Sequence, residues 1–193
     1  MFTTDGSNGK SPGRYAMLAI GAAGGVILGR FAPVLFANAS GLVRASAGQD
    51  PFEGLIREHR QLLSLLDKME HTPKENPVKR AALFLKFKRT IGKHALAEED
   101  IVYPCLRDDA ERRQETEKLY QEHARMKVLL FELDRSMKED EAWTARVRDL
   151  RNEIEPHARQ EEEVEFPRLK AVMDEKRTAE LSRMIYQEEA LIV

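Results

Sequence analysis

Four of the five histidines in this 193-residue chain fall into one duplicated pattern. His94 is followed four residues later by Glu98, and His157 by Glu161. Each pair has an upstream histidine at nearly the same distance, His59 for the first and His123 for the second. Each upstream histidine directly follows a glutamate, Glu58 or Glu122, and an aromatic-proline pair closes each copy, Tyr103-Pro104 and Phe166-Pro167. Two copies of His…His-x-x-x-Glu point to internal duplication. On an α-helix, residues four apart share a face. His94 and Glu98 therefore aim the same way, about 6 Å apart along the axis, as do His157 and Glu161. An imidazole and a carboxylate so placed suit two donors to one metal centre.

To bring both copies to one place the chain needs helices that carry these residues inward. Past about residue 55 it is rich in Leu, Ala, Glu, Lys and Arg, which favour helix. Asp50-Pro51 reads as an N-cap followed by proline at the first helical position. An apolar face with His59 among Leu55, Leu62, Leu66 and Met69 follows at helical period, ending near His71-Thr72-Pro73. Asn76-Pro77 opens a second helix with Phe84, Phe87, Ile91, His94, Glu98, Ile101 and Cys105 inward. A third is predicted from Asp108 or Asp109, with Leu119, Tyr120, His123, Met126 and Leu133 inward. Asp140 is the predicted cap of a fourth, carrying Leu150, Ile154, His157, Glu161 and Leu169, and Thr178 that of a short last helix to about Ala190. Connections this short make neighbours antiparallel. Counted from the loops, the four histidines fall in one layer of an all-α, up-down-up-down four-helix bundle. Without a metal they would be buried polar groups lacking evident partners, which costs stability.

The chain thus divides into a polar tail over 1–14, an apolar segment over 15–48, the bundle over 49–175 and the short helix over 176–193. Residues 15–43 are the most apolar stretch, interrupted by Arg30. A membrane anchor, spanning or lying on the bilayer, is the expectation. Arg30 works against embedding, at roughly 2.5–3.5 kcal/mol at mid-bilayer. The alternatives are a secretory signal over 15–39, with small residues at Ala37-Asn38-Ala39, or an arm packed on the domain of a cytoplasmic protein. Basic residues flank both ends, so the side is left open. The 31 basic and 33 acidic residues, a net charge of -2, offer no sustained basic surface for nucleic acid. Cys105 is the single cysteine, so no intrachain disulfide forms.

The paired pattern His59…His94-x-x-x-Glu98 and His123…His157-x-x-x-Glu161, with its aromatic-proline endings, resembles the hemerythrin-like (HHE cation-binding) family over roughly residues 50–172. The resemblance implies a four-helix bundle holding two non-haem iron ions, with manganese the lesser expectation. It implies His59, His94, His123 and His157 as terminal ligands, and Glu98 and Glu161 as carboxylates that bridge the ions. The sequence departs from the oxygen-carrying members. They place a second histidine four residues after the helix-three histidine, where this chain has Lys127. They also end on His-x-x-x-x-Asp, not His157-x-x-x-Glu161. One ion therefore lacks a protein ligand that the carriers have, and reversible oxygen carriage is not implied.

Helix geometry puts the exchangeable side toward Leu62, Ile91, Met126 and Ile154, one turn from the histidines and opposite Glu98 and Glu161, with Lys127 at the rim. A small apolar pocket there favours a diatomic ligand, oxygen or nitric oxide, or peroxide. Glu58, Glu122 and Tyr120 are candidates to hydrogen-bond a ligand imidazole, although a solvated face for the glutamates and core packing for Tyr120 are the plainer readings. Glu99, Asp100, Glu162 and Glu163 read as solvated. Tyr103 and Phe166 follow their histidines by nine residues, half a turn off the ligand face, and read as packing. Pro156 predicts a kink or bulge that aims His157. Few acid-base groups reach the pocket, so non-enzymatic binding of iron and a diatomic ligand, as sensor or store, is expected ahead of a redox enzyme consuming oxygen, peroxide or nitric oxide. A metal-free helical module is the third reading.

Overall fold

A computed structural model describes residues 50–189. The expectations for 1–14 and 15–48, the membrane anchor included, lie outside the described residues. Among the described residues no helix is long and apolar enough to cross a membrane. The regular structure there is helical: α1 Phe52–Glu70, α2 Pro77–Ala97, α3 Tyr103–Asp108, α4 Arg113–Arg135, α5 Asp140–Gln160, α6 Phe166–Val172 and α7 Glu175–Glu189. Two π-helical turns, Glu98–Val102 (π1) and Glu161–Glu165 (π2), join α2 to α3 and α5 to α6. Helix α1 lies against α2 and α5, α4 lies against α5, and α7 covers α2 and π1.

The Asp50 carboxylate accepts the Phe52 N–H at 3.0 Å, so α1 starts where its cap predicts. Three other starts differ from the reading of the sequence. The third long helix begins at Arg113, not at Asp108 or Asp109. The chain stays helical through Asp108 and turns only at Glu111, whose φ is 54°. After the turn Arg112 donates twice at 3.0 Å to the buried carboxylate of Glu165, tying the start of α4 to π2. Asp140 belongs to the first turn of α5 and does not cap it. Its carboxylate is taken by the Lys74 N–H at 2.9 Å and by Arg80. Asp174, not Thr178, caps α7, accepting the Arg177 N–H at 2.7 Å.

Two apolar clusters fill the interior. One gathers Phe52, Leu55, Val102, Leu106, Leu119, Phe166 and Leu181. The other gathers Leu62, Leu66, Met69, Phe87, Leu133, Trp143 and Leu150. His59, His94, His123 and His157 come between them in the chain on α1, α2, α4 and α5, so a polar layer divides the core. At the end away from the π turns, buried Arg80 ties the α1–α2 loop to the α4–α5 loop. It donates to the carbonyls of Thr72 at 2.8 Å and Met137 at 3.0 Å, pairs with Asp140 and lies over the Trp143 ring. Trp143 in turn donates to the Met69 carbonyl at 2.9 Å. Arg80→Met keeps the packing but strands both carbonyls. It is expected to lose about 2–3 kcal/mol, measured as a lower urea midpoint at unchanged slope.

Candidate metal centre

Four long helices each deliver one imidazole to the polar layer. The rings of His59 and His94 meet at 4.5 Å between centroids, those of His123 and His157 at 4.8 Å. Glu98 and Glu161, both fully buried, stand between the two pairs. His59 Nε2 is 3.2 Å from Glu161 and 3.8 Å from Glu98. His94 and His123 approach Glu98 at 3.2 and 3.4 Å, and His157 approaches Glu161 at 3.3 Å. Two sets of donors emerge: His59, His94, Glu98 and Glu161, and His123, His157, Glu98 and Glu161. Within each, the donor atoms lie within 4.8 Å of one another. Both sets contain both glutamates, an arrangement in which two carboxylates could serve two neighbouring ions.

The residues fit a cation on their own chemistry. His59 Nε2, His94 Nε2, both Glu98 oxygens and Glu161 Oε2 are buried without a hydrogen-bond partner. They converge at contact distance but not in hydrogen-bond geometry, as ligands around a common point do. An unsatisfied buried polar group costs about 1–3 kcal/mol, more when charged, and a cation would satisfy all five atoms at once. With protons alone to balance the site, burial and the facing Glu161 carboxylate push Glu98 well above the usual carboxylate range. Against burial, His157 and His59 hold Glu161 below it. Two buried carboxylates this close resist joint ionisation. Burial disfavours the charged form of His59, yet Glu161 and Glu98 lift it to about 9. Protons thus stand in where a cation would sit. Imidazole nitrogen with carboxylate oxygen is a donor set for iron or manganese.

The model of the hemerythrin HHE cation binding domain matches residues 50–169. The chain belongs to the hemerythrin family. No curated protein and no solved structure matches it. The matched span contains all six converging residues of this hemerythrin-family chain and stops at Leu169 in α6, leaving α7 outside.

Each ligand-type histidine in this hemerythrin domain has a carboxylate on its other nitrogen. Glu58 reaches His94 Nδ1 at 3.2 Å and Glu122 reaches His157 Nδ1 at 2.8 Å. Glu99 reaches His123 Nδ1 at 2.9 Å and Glu162 reaches His59 Nδ1 at 2.8 Å. Such partners hold the proton on Nδ1 and leave the Nε2 lone pair for the centre. Glu99 and Glu162 are therefore not solvated faces, whereas Asp100 and Glu163 are exposed. The partners of Glu99 and Glu162 sit on α4 and α1, so nothing on their own helices discloses the contact.

Tyr103 also departs from the expectation of packing. It is fully buried, and its hydroxyl donates to Glu161 Oε1 at 2.8 Å and lies 3.0 Å from His123 Nε2 and 3.5 Å from His157 Nε2. The cause is π1, where the Tyr103 N–H bonds to the Glu98 carbonyl five residues back. The wider turn absorbs one residue, so Tyr103 arrives about a quarter turn from the ligand face and not half a turn. Phe166, its counterpart, has no hydroxyl and stacks parallel to His59 at 6.3 Å. The repeated aromatic-proline ending was the visible signal, and the Tyr–Phe difference within it carries the chemistry. Pro156 does not cause the second bulge. Helix α5 runs through it, π2 begins downstream, and π1 occupies the same place in the first copy with no proline before it.

The remaining candidates lie farther out. Tyr120 is part-exposed, not inward, and its hydroxyl donates to the Glu99 carbonyl at 2.6 Å without reaching an imidazole. Pro104 brings no N–H to the carbonyls of π1, and Tyr120 supplies a donor to one of them. Lys127 is exposed and grips the Glu99 carboxylate at 2.7 and 2.9 Å, forming a chain Lys127–Glu99–His123. Leu62, Ile91, Met126, Lys127 and Ile154 line one cavity together with the four histidines. That cavity measures about 270 Å³, not the small pocket expected. Small residues on α2, Gly92 and Ala95, form part of its wall. Glu122→Gln removes the charge that orients His157. It is expected to weaken metal binding about 10–100-fold, read by chelator competition, with the helical circular dichroism unchanged.

Proposed function

We propose that this is a non-haem di-iron protein that binds a small diatomic ligand, oxygen or nitric oxide, in sensing or in iron and oxygen handling. One observation carries the reading: both donor sets contain Glu98 and Glu161. His59 and His94 hold one iron, His123 and His157 the other, and the two carboxylates join them. The four long helices run alternately up and down, which brings one histidine from each to a common layer. When bound, the iron pair supplies redox chemistry and a place for an exogenous ligand.

The chain's own residues do the rest. Glu58, Glu122, Glu99 and Glu162 orient the imidazoles. Leu62, Ile91, Met126 and Ile154 keep the open side apolar. Lys127 occupies the place of the carriers' extra histidine but turns its amine to Glu99, so four histidines and two glutamates leave the coordination incomplete for an incoming ligand. Protein made in iron-replete cells is expected to carry two irons per chain by elemental analysis. Glu161→Ala should lose both together, because it belongs to both sets, whereas His157→Ala should chiefly loosen one. Folded wild-type protein without iron, or Glu161→Ala with full iron content, would overturn the reading.

A further inference from the structure

The cavity beside the centre exceeds what a diatomic ligand requires. It encloses about 270 Å³, whereas a water's share of liquid volume is roughly 30 Å³ and an apolar cavity of about 150 Å³ binds benzene. Its floor is the histidine layer. Leu62 on α1, Ile91 on α2, Met126 and Leu130 on α4 and Ile154 on α5 give it apolar walls, and Gly92 and Ala95 leave room on the α2 side. Lys88 and Lys127 stand on its lining too, but each amine is already paired, Lys88 with Asp134 at 3.5 Å and Lys127 with Glu99 at 2.7 Å. A carboxylate or other anion would have to pass apolar walls whose two lysines are already paired, and shedding its water there is costly. A neutral molecule with an apolar body and one oxygen function at its end meets both the walls and the floor with matching chemistry.

We propose that the chamber takes an organic hydroperoxide, R–O–OH, with its apolar R group between the walls and its hydroperoxide end on the histidine floor. Binding rests on the chamber alone; the chemistry rests on the di-iron reading. In a single reduction the O–O bond breaks, and R–O–OH takes up two electrons and two protons to give R–OH and water. The ferrous pair that the four histidines, Glu98 and Glu161 would hold would supply the two electrons, one from each iron, and solvent the protons. Hydrogen peroxide would undergo the same step without using the walls, so the walls set the preference for the organic substrate.

Cumyl alcohol, the neutral product of cumene hydroperoxide, is the binding probe. Titrated calorimetrically into the iron-loaded full chain, it is expected to bind saturably at one site. Gly92→Leu on α2 and Leu130→Trp on α4 narrow the chamber without replacing a metal-ligand residue, and each should weaken that binding at least tenfold at unchanged iron content. The reduced variants should also react at least tenfold more slowly with cumene hydroperoxide, with the rate for hydrogen peroxide unchanged. No binding of the alcohol by iron-loaded wild type overturns the proposal, whatever the variants do. Equal slowing of both peroxides, or undiminished alcohol binding by a folded narrowed variant, overturns it as well. Folded protein from iron-replete cells that holds no iron yet binds the alcohol would overturn the di-iron reading and leave the chamber's binding role standing.

Discussion

Six polar side chains meet at one level of a helical core, and the rest of the structure answers to that burial. Glu98 and Glu161 have no exposed surface, and five of the converging atoms have no hydrogen-bond partner. An uncompensated buried charge is among the largest penalties a fold can carry. The compensation is built outward in alternating sign. The inner carboxylates face where a cation belongs, the imidazoles surround them, and an outer ring of carboxylates takes each Nδ1. Most of that ring is met in turn by cations nearer solvent: Lys93 on Glu58, Lys127 on Glu99 and Lys118 on Glu122. Lys93 also reaches Glu189 at 3.5 Å, so α7, which lies outside the matched domain, touches the outermost layer of the same network.

The duplication explains the near symmetry of this network, and its departures give the centre two unlike halves. Each copy sends the glutamate before its upstream histidine to its own downstream histidine. Each sends the glutamate after its inner carboxylate to the upstream histidine of the other copy. Both copies place a π turn at the inner carboxylate, a local cost that is common at functional sites. At the aromatic-proline ending the copies diverge. Tyr103 brings a hydroxyl to the His123–His157 side, and Phe166 lays a bare ring against His59. A buried hydroxyl bonded to one shared carboxylate makes the two donor sets chemically unequal although their ligand types are identical.

The sequence disclosed what depends on one helix and concealed what depends on two. Histidine–glutamate spacing, the cap at Asp50 and the apolar periodicity were legible because they follow from 3.6 residues per turn. So were Leu62, Ile91, Met126 and Ile154, which line the cavity, since each lies one turn from its histidine, whereas Lys88 and Leu130 lie farther along their helices. Glu99, Glu162 and buried Arg80 were not legible, because their partners come from distant segments. Tyr103 is hidden for a different reason: helical spacing places it half a turn off the ligand face, and the π turn before it shifts that phase. The helix starts at 113, 140 and 175 are hidden in the sequence because Asp109, Asp140 and Thr178 all have capping chemistry, and tertiary partners decide which side chain is free to use it. The size of the cavity could not be read from its lining residues, since it depends on how far apart the helices stand.

X-ray absorption at the iron edge of the purified full chain tests the central claim most directly, because it reports the ligands and the neighbouring metal in one measurement. The account predicts nitrogen and oxygen ligands only, the outer-shell pattern of imidazoles, and a second iron within about 4 Å. A spectrum with an isolated iron, or with no imidazole contribution, would contradict a centre in which two glutamates join two histidine pairs.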